Sequence, residues 1–340
     1  MKLKRYQGNP VISPNPKNDW ESHVTTNPGA WYDEEKKEVT LIYRTAGNDA
    51  EHKIFFGMAK STDGYNFQRV SDEPIFSPSI DGFDAGCVED PRIVKMGEWF
   101  YITYASRPFP PGHYWVEPKE DRPYLPPECP DEFPRLFRTN STITCLLLTK
   151  DFKSFIRAGS LSDPSVDDRD VILFPEKINS KFWMLHRPME WCGESYDNKY
   201  PAMWVSSGDD LLGMRNSKLL AVGKYDWEDG KVGGNTPPLK TEQGWLILHH
   251  ARGTDTYYRL GAMLLDLKDP SKVLHRTPDW IMQPEEDYET KGFYNGCIFP
   301  CGKCVIDGTL FVYYGAADKY VGVATAEMKQ FMDFLLSCPD

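Results

Sequence analysis

Apolar residues along this chain gather in short runs, each ending in a polar or basic residue. The five clearest are Thr40-Leu-Ile-Tyr-Arg44, Trp99-Phe-Tyr-Ile-Thr-Tyr104, Phe182-Trp-Met-Leu-His-Arg187, Trp245-Leu-Ile-Leu-His-His250 and Leu310-Phe-Val-Tyr-Tyr314. Runs of this length, rich in aromatic and β-branched residues and bounded by turn residues, read as strands. A proline stands ahead of each: Pro28, Pro91, Pro175, Pro238 and Pro300, at intervals of 63, 84, 63 and 62 residues. A period in this range marks a repeat architecture.

The repeats divide the chain into units at about 24–70, 88–160, 171–222, 232–275 and 296–328. Each holds several strands and turns, such as Ile54-Phe-Phe-Gly-Met-Ala-Lys before Asp63-Gly64. Five sheets of about four strands around an axis make an all-β, five-bladed β-propeller, here a single catalytic domain over 1–340. A two-sheet sandwich does not predict spacing this regular. The first 20 or so residues are left over to supply a strand that helps close the ring. From Thr325 to Leu336 the period changes, and Met328, Phe331, Met332 and Leu335 recur at the spacing of a short C-terminal helix. The second interval is too long by about 20 residues. The surplus, 107–134, is rich in Pro, aromatic and acidic residues and reads as a lid or binding loop.

Composition narrows the function. A net charge of −11 excludes a general nucleic-acid or membrane-surface binder, which needs a basic face, but permits a small basic pocket. The basic N-terminus is not followed by the apolar stretch of a signal peptide, and no run is long enough to span a membrane. Eight cysteines without framework spacing suit reduced thiols and a cytoplasmic location. Cys301 and Cys304 form a C-x-x-C, but no second ligand pair accompanies them, so no metal is expected.

In a ring, equivalent strand ends converge on one axis. The residues at the ends of the five runs, or just past them, are Arg44, Ala105, Arg187, His250 and Gly315, three of them basic, and the adjoining loops carry Asp90, Arg92, Arg169, Asp170, Lys231 and Asp318. Carboxylates (Asp90, Asp318 and Glu190) beside a sugar suit glycoside chemistry. The cations Arg44, Arg169, Lys231 and His250 suit a phosphate oxyanion, because each supplies a charge-assisted donor. Together they suggest attack by phosphate where a hydrolase uses water.

At these residues the chain resembles glycoside hydrolase family 130, the β-mannoside phosphorylases and related β-mannosidases. The matching segments are Asn27-Pro-Gly-Ala, Leu41-Ile-Tyr-Arg44, Glu89-Asp-Pro-Arg-Ile93, Arg169-Asp-Val-Ile-Leu-Phe-Pro-Glu-Lys-Ile-Asn179, His186-Arg-Pro188, Lys231-Val-Gly-Gly-Asn-Thr-Pro-Pro238, Gly244-Trp-Leu and Tyr314-Gly-Ala-Ala-Asp318. The resemblance implies a five-bladed propeller and an inverting phosphorolysis of terminal β-1,4- or β-1,2-mannosides to α-mannose 1-phosphate and a shortened acceptor. Inorganic phosphate is then the co-substrate, with no cofactor. The resemblance makes Asp90 the proton donor, acting through a sugar hydroxyl, and makes Arg44, Arg169, Lys231 and His250 the phosphate ligands. Substrate binding falls to Asn27, Arg92, Asp170, Arg187 and Asp318. The chain departs from the family pattern at Asp170, where many phosphorylases carry Asn, and in the 107–134 insertion.

Two other readings stand beside this one. An inverting β-mannosidase needs a second carboxylate as base, for which Glu190 is the spare candidate, and has no use for Lys231 or His250. A non-catalytic glycan-binding propeller has no use for an acid facing cations. Trp191 and Tyr196 either stack on a sugar or pack the rim. His113, Tyr114 and Trp115 either cover the acceptor or pack a neighbouring subunit of a homo-oligomer.

Overall fold

A computed structural model describes residues 1–340. The protein is all-β apart from short helical turns and three α-helices. A two-residue strand β1 (Lys4–Arg5) precedes a first antiparallel set, β2 (Val24–Asp33), β3 (Glu38–Ala46), β4 (Ile54–Ser61) and β5 (Gln68–Arg69). The second set is β6 (Cys87–Met96), β7 (Trp99–Arg107), β8 (Ile143–Thr149) and β9 (Ile156–Ser160), joined to the first by one parallel bridge, Ile54 to Cys87. Then come β10 (Asp168–Leu173), β11 (Phe182–Pro188), β12 (Met203–Gly208) and β13 (Asn216–Ala221). The fourth set is β14 (Lys231–Gly234), β15 (Leu239–Lys240), β16 (Trp245–Arg252), β17 (Tyr258–Leu265) and β18 (Val273–Arg276). The last is β19 (Ile298–Ile306), β20 (Thr309–Ala316) and β21 (Tyr320–Glu327), with β1 on its outer edge beside β21. The leftover N-terminal residues thus add a strand to the C-terminal sheet.

The runs are continuously apolar because each sheet is buried on both faces, so alternate side chains feed different cores. On β3, Ile42 packs between the first and second sets, while Leu41 and Tyr43 pack against the last. On β16, Trp245 and Ile247 face the third set, and Leu246 and Leu248 face the fifth. On β20, Val312 and Tyr314 face the fourth set, and Phe311 and Tyr313 the first. A further core around Val94, Leu146 and Val171 joins the second set to the third. These five cores run in a cycle, each sheet packed on its two neighbours.

Several expectations shift. The apolar runs are the second strands of their sets; the first strands are β2, β6, β10, β14 and β19, of which β2 packs against both β6 and β19, and β10 against β14. Pro28, Pro91 and Pro300 lie within those first strands, whereas Pro175 follows β10 and Pro238 precedes β15. The stricter structural repeat is a register shift in the first strand, between Thr26 and Gly29, Glu89 and Arg92, and Arg169 and Ile172. A bulge of this kind also accommodates Pro28 and Pro91, which cannot donate to a ladder.

The third unit starts at Asp168, so Arg169 and Asp170 are strand residues, as are Asp90 and Arg92. The excursion after the second run covers 108–142 and contains helix α1 (Arg135–Thr139); Arg107 itself ends β7. Helix α2 (Asp287–Thr290) follows the fourth set. The terminal helix α3 is Met328–Leu336, because Thr325 and Ala324 still pair with Lys4 and Arg5. The Glu327 carboxylate caps it by accepting from the amides of Lys329 and Gln330. Its Phe331, Met332 and Leu335 bury into the core of the last two sheets.

Candidate active site

Residues paired with the second-strand ends identify the centre of the site. Arg44 lies opposite Thr26, Ala105 opposite Glu89, Arg187 opposite Arg169, His250 opposite Gly233, and Gly315 opposite Phe299. The next residue in the first three first strands is Asn27, Asp90 or Asp170, each with left-handed backbone, at φ 46°, 54° and 54°. Asp318, in the turn from β20 to β21, shares it at φ 51°. Asn and Asp tolerate this region better than other non-glycine residues. In a regular strand neighbouring side chains point to opposite faces, but the bulge brings both Glu89 and Asp90 to the same cavity.

That cavity holds about 460 Å³. Its wall includes the expected Asn27, Arg44, Asp90, Arg92, Arg169, Asp170, Arg187, Lys231 and Asp318. It also includes Tyr114, one of the aromatic residues expected over the acceptor, and Glu89, Arg107, Asn140, Tyr258, Tyr294 and Phe299, which the sequence did not single out as site residues. Six lining cations face four lining carboxylates, a local positive excess inside a chain of net charge −11.

Most of these charges are already paired. The Arg44 Nη1 stands 3.2 Å from Glu89 Oε2 and 3.5 Å from Asp90 Oδ1. Asp90 Oδ1 also accepts from Asn27 Nδ2 at 2.8 Å, and Gly315 admits Asn27 because a Cβ there would strike the Asn27 side chain. Arg169 makes a two-pronged contact with Asp167 at 2.7 and 2.8 Å. Asp170 accepts from Arg187 Nε at 2.6 Å and lies 3.5 Å from Arg92 Nη2. Gly233 makes room for this knot: a Cβ there would fall 2.5 Å from Asp170 Oδ2 and 2.8 Å from Arg187 Nε. Lys231 pairs with no carboxylate, and its Nζ lies 4.9 Å from the centre of the Tyr258 ring.

Burial and these partners set the protonation states. Burial raises the Asp90 pKa, Arg44 opposes it, and Glu89 reinforces it; the net shift is upward. Burial likewise lifts Asp318 to about 6 against the pull of Arg44. Burial works against ionised Glu89, but Arg44 and Arg107 outweigh it and lower its pKa. Asp170 is held well below the usual carboxylate range, burial being overcome chiefly by Arg187. Lys231 is lowered to about 7 by burial and then by Arg187.

Two expected residues lie elsewhere. His250 is fully buried and does not reach the cavity; it stands behind Asp170, Nε2 at 3.7 Å, with Nδ1 3.2 Å from Asn235 Oδ1. Burial pushes its pKa well down, so it is a neutral ring rather than a cation. Glu190 is on the rim, paired with Arg135 of α1 and accepting from the Asp167 amide at 3.1 Å. It is outside the cavity wall and unsuited to act as base there. Trp191 and Tyr196 stack on each other at 5.9 Å beside Trp204, also off the wall. In the excursion, His113 and Trp115 pack with His52 and Phe293 of the same chain, and of the three aromatic neighbours Tyr114 alone lines the cavity.

Known proteins align with this architecture over nearly its whole length. A family model described as beta-1,4-mannooligosaccharide phosphorylase matches residues 2–115 and 138–337, leaving out most of the excursion. A 1,2-beta-oligomannan phosphorylase from Thermoanaerobacter sp. (strain X514) is 36% identical over 97% of this chain and 98% of its own. A beta-1,2-mannobiose phosphorylase from the same strain is 33% identical over 97% and 99%. Among solved structures, the Listeria innocua beta-1,2-mannobiose phosphorylase in complex with beta-1,2-mannobiose superposes with a TM-score of 0.79 at 25% identity, covering 98% of this chain and 99% of that one. With its sequence and its fold aligned in this way, the chain belongs to glycoside hydrolase family 130.

Proposed function

We propose that the protein is an inverting β-mannoside phosphorylase, releasing α-mannose 1-phosphate from the non-reducing end of β-linked manno-oligosaccharides. The observation that carries this reading is the cavity wall itself: Arg44, Arg169, Arg187 and Lys231 gathered beside Asp90, whose pKa is raised. Phosphate arrives ionised, so it needs clamping and aiming more than it needs a base. Asp90 supplies the proton for the leaving oxygen through a mannose hydroxyl, and Asp318 and Asn27 hold the sugar. His250 serves in this scheme by backing Asp170 and Arg187, without touching phosphate. No cofactor enters the reaction. The hydrolytic alternative lacks its base, since Glu190 is committed to Arg135 on the rim.

The β-1,2 linkage is our preferred assignment, supported by the names of the relatives at 36% and 33% identity. We also read the five strand sets as blades of one five-bladed propeller over 1–340, supported by the cyclic order of their cores. Eight unpaired cysteines support a reducing, cytoplasmic setting, and no helix is long and apolar enough to cross a membrane. The test is incubation with β-1,2- and β-1,4-mannobiose, with and without phosphate, resolving mannose 1-phosphate from mannose. Mannose 1-phosphate formed only with phosphate is expected. Mannose released at the same rate without phosphate would refute the assignment.

A further inference from the structure

We infer that Glu89 is a positioning residue of this site: it engages the Arg44 guanidinium and so leaves Asp90 free to keep its proton. This inference rests on the phosphorylase reading above and gives that site one further working part.

The geometry is a competition for one nitrogen. Arg44 Nη1 is nearer Glu89 Oε2, at 3.2 Å, than Asp90 Oδ1, at 3.5 Å. Glu89 is further held in its ionised form by Arg107 at 4.0 Å and by the Cys87 thiol, which donates to Oε1 at 3.1 Å. Asp90 receives one neutral donor, Asn27, on Oδ1, and no protein group donates to Oδ2. Facing the two carboxylates are Arg44 on β3, Cys87 and Arg92 on β6, Arg107 on β7, Arg169 on β10 and Asp318 after β20. Arg92 donates to the Asp90 backbone carbonyl at 3.1 Å and turns its Nη2 to Asp170, so it acts on the Asp90 carboxyl less than Arg44 does. Arg44 is therefore the cation best placed to strip Asp90 of its proton, and Glu89 is the group that offsets it. A general acid must be protonated before it can act, so this offset sets the upper pH edge of activity.

Glu89→Gln keeps the size of the side chain and removes the charge. With phosphate saturating, kcat/KM for β-1,2-mannobiose is measured across pH in both proteins. The basic limb of the variant moves to lower pH by about one unit or more, the effect of one charge lost at near-contact range. The variant then loses about tenfold at about pH 7.5 and recovers to within about threefold of wild type at about pH 5.5. A uniform loss at every pH, with the limb unmoved, would overturn the inference, since a purely structural role predicts that result. If Glu89→Gln does not fold, Glu89→Asp replaces it. That side chain keeps the charge but draws it back from Arg44, so the limb moves in the same direction by a smaller step, and an unmoved limb again overturns the inference. A wild-type protein that makes no mannose 1-phosphate would instead sink the phosphorylase reading, so the two failures are distinguishable.

Discussion

Asp170→Asn separates what the Asp170 carboxylate does for the fold from what it does to the ligand. Asparagine keeps the shape, an acceptor oxygen for Arg187 Nε now at 2.6 Å, and tolerance of φ 54°. Only the charge goes. Arg187 and Arg92 are each 3% exposed, so both are left as buried cations without their counter-charge. Removing one partner of a buried pair costs about 3–5 kcal/mol, and the surviving hydrogen bond places this case near the lower end. For a chain of this length that lowers Tm by roughly 5 °C.

Phosphate responds in the opposite sense. An anion held by Arg187 sits within about 6 Å of Asp170, where one unit charge at an effective dielectric near 20 is worth about 3 kcal/mol of repulsion. Relief of even half of that tightens phosphate binding by about tenfold. The assay is thermal unfolding over a phosphate titration: the variant starts lower than wild type and gains more from the same phosphate. The Asp170 pKa is depressed in the folded state, so its contribution is present above its ordinary value near 4 and is lost as pH falls through the folded value. The gap between the two phosphate-free proteins therefore narrows in acid. Phosphate that stabilises the variant less than wild type, or a phosphate-free Tm that does not fall, would refute the reasoning.

Asp90→Asn should lower turnover by about 10³-fold with Tm nearly unchanged, because asparagine fits the left-handed backbone and only the proton is lost; full activity would remove Asp90 from the mechanism. Lys231 carries its charge below a pKa of about 7 and sheds it above, so KM for phosphate should climb as pH rises past that point, and Lys231→Arg should flatten the climb; identical profiles would show that Lys231 does not meet phosphate. Gly233→Ala puts a methyl 2.7 Å from His250 Cε1 and 2.5 Å from Asp170 Oδ2, and should cost about 2 kcal/mol in chemical denaturation while raising KM for phosphate; a silent substitution would show that the knot is loose.

Much of the fold was legible because sheets buried on both faces leave unbroken apolar runs, and Trp245-Leu-Ile-Leu is one. Order around the centre was harder to read. The runs are second strands, which bring Arg44, Arg107 and Arg187 to the cavity at their ends, while the first strands bring Asn27, Glu89, Asp90, Arg92, Arg169, Asp170 and Lys231. Glu89 is not legible in the sequence because the pattern puts Asp90 in a loop, whereas both lie in β6 and a backbone bulge there turns them to the same cavity. The trace of that bulge in the sequence is an Asn or Asp within a strand pattern, followed by proline at Asn27-Pro28 and Asp90-Pro91. His250 lies off the cavity wall for a different reason. Pattern places it at an equivalent strand end to Arg44 and Arg187, but its partner in register is Gly233, and Asp170 and Arg187 fill the space a larger residue would hold.

The pairing of charges explains how an anion site persists inside an acidic protein. Arg44 is met by Glu89, Arg107 by Glu89, Arg169 by Asp167, and both Arg92 and Arg187 by Asp170. Five of six lining cations thus have a carboxylate partner before any ligand arrives, three carboxylates being shared among them, which reduces the cost of isolated buried charge and leaves a positive excess. Lys231 is the sixth, and its lowered pKa lets it shed its charge near neutrality rather than bear it alone. In the proposed phosphorolysis, an incoming phosphate restores that charge. The anion therefore meets a wall whose positive excess is created partly by its own arrival, and the carboxylates that hold the arginines in place become the groups that tune how tightly it is held.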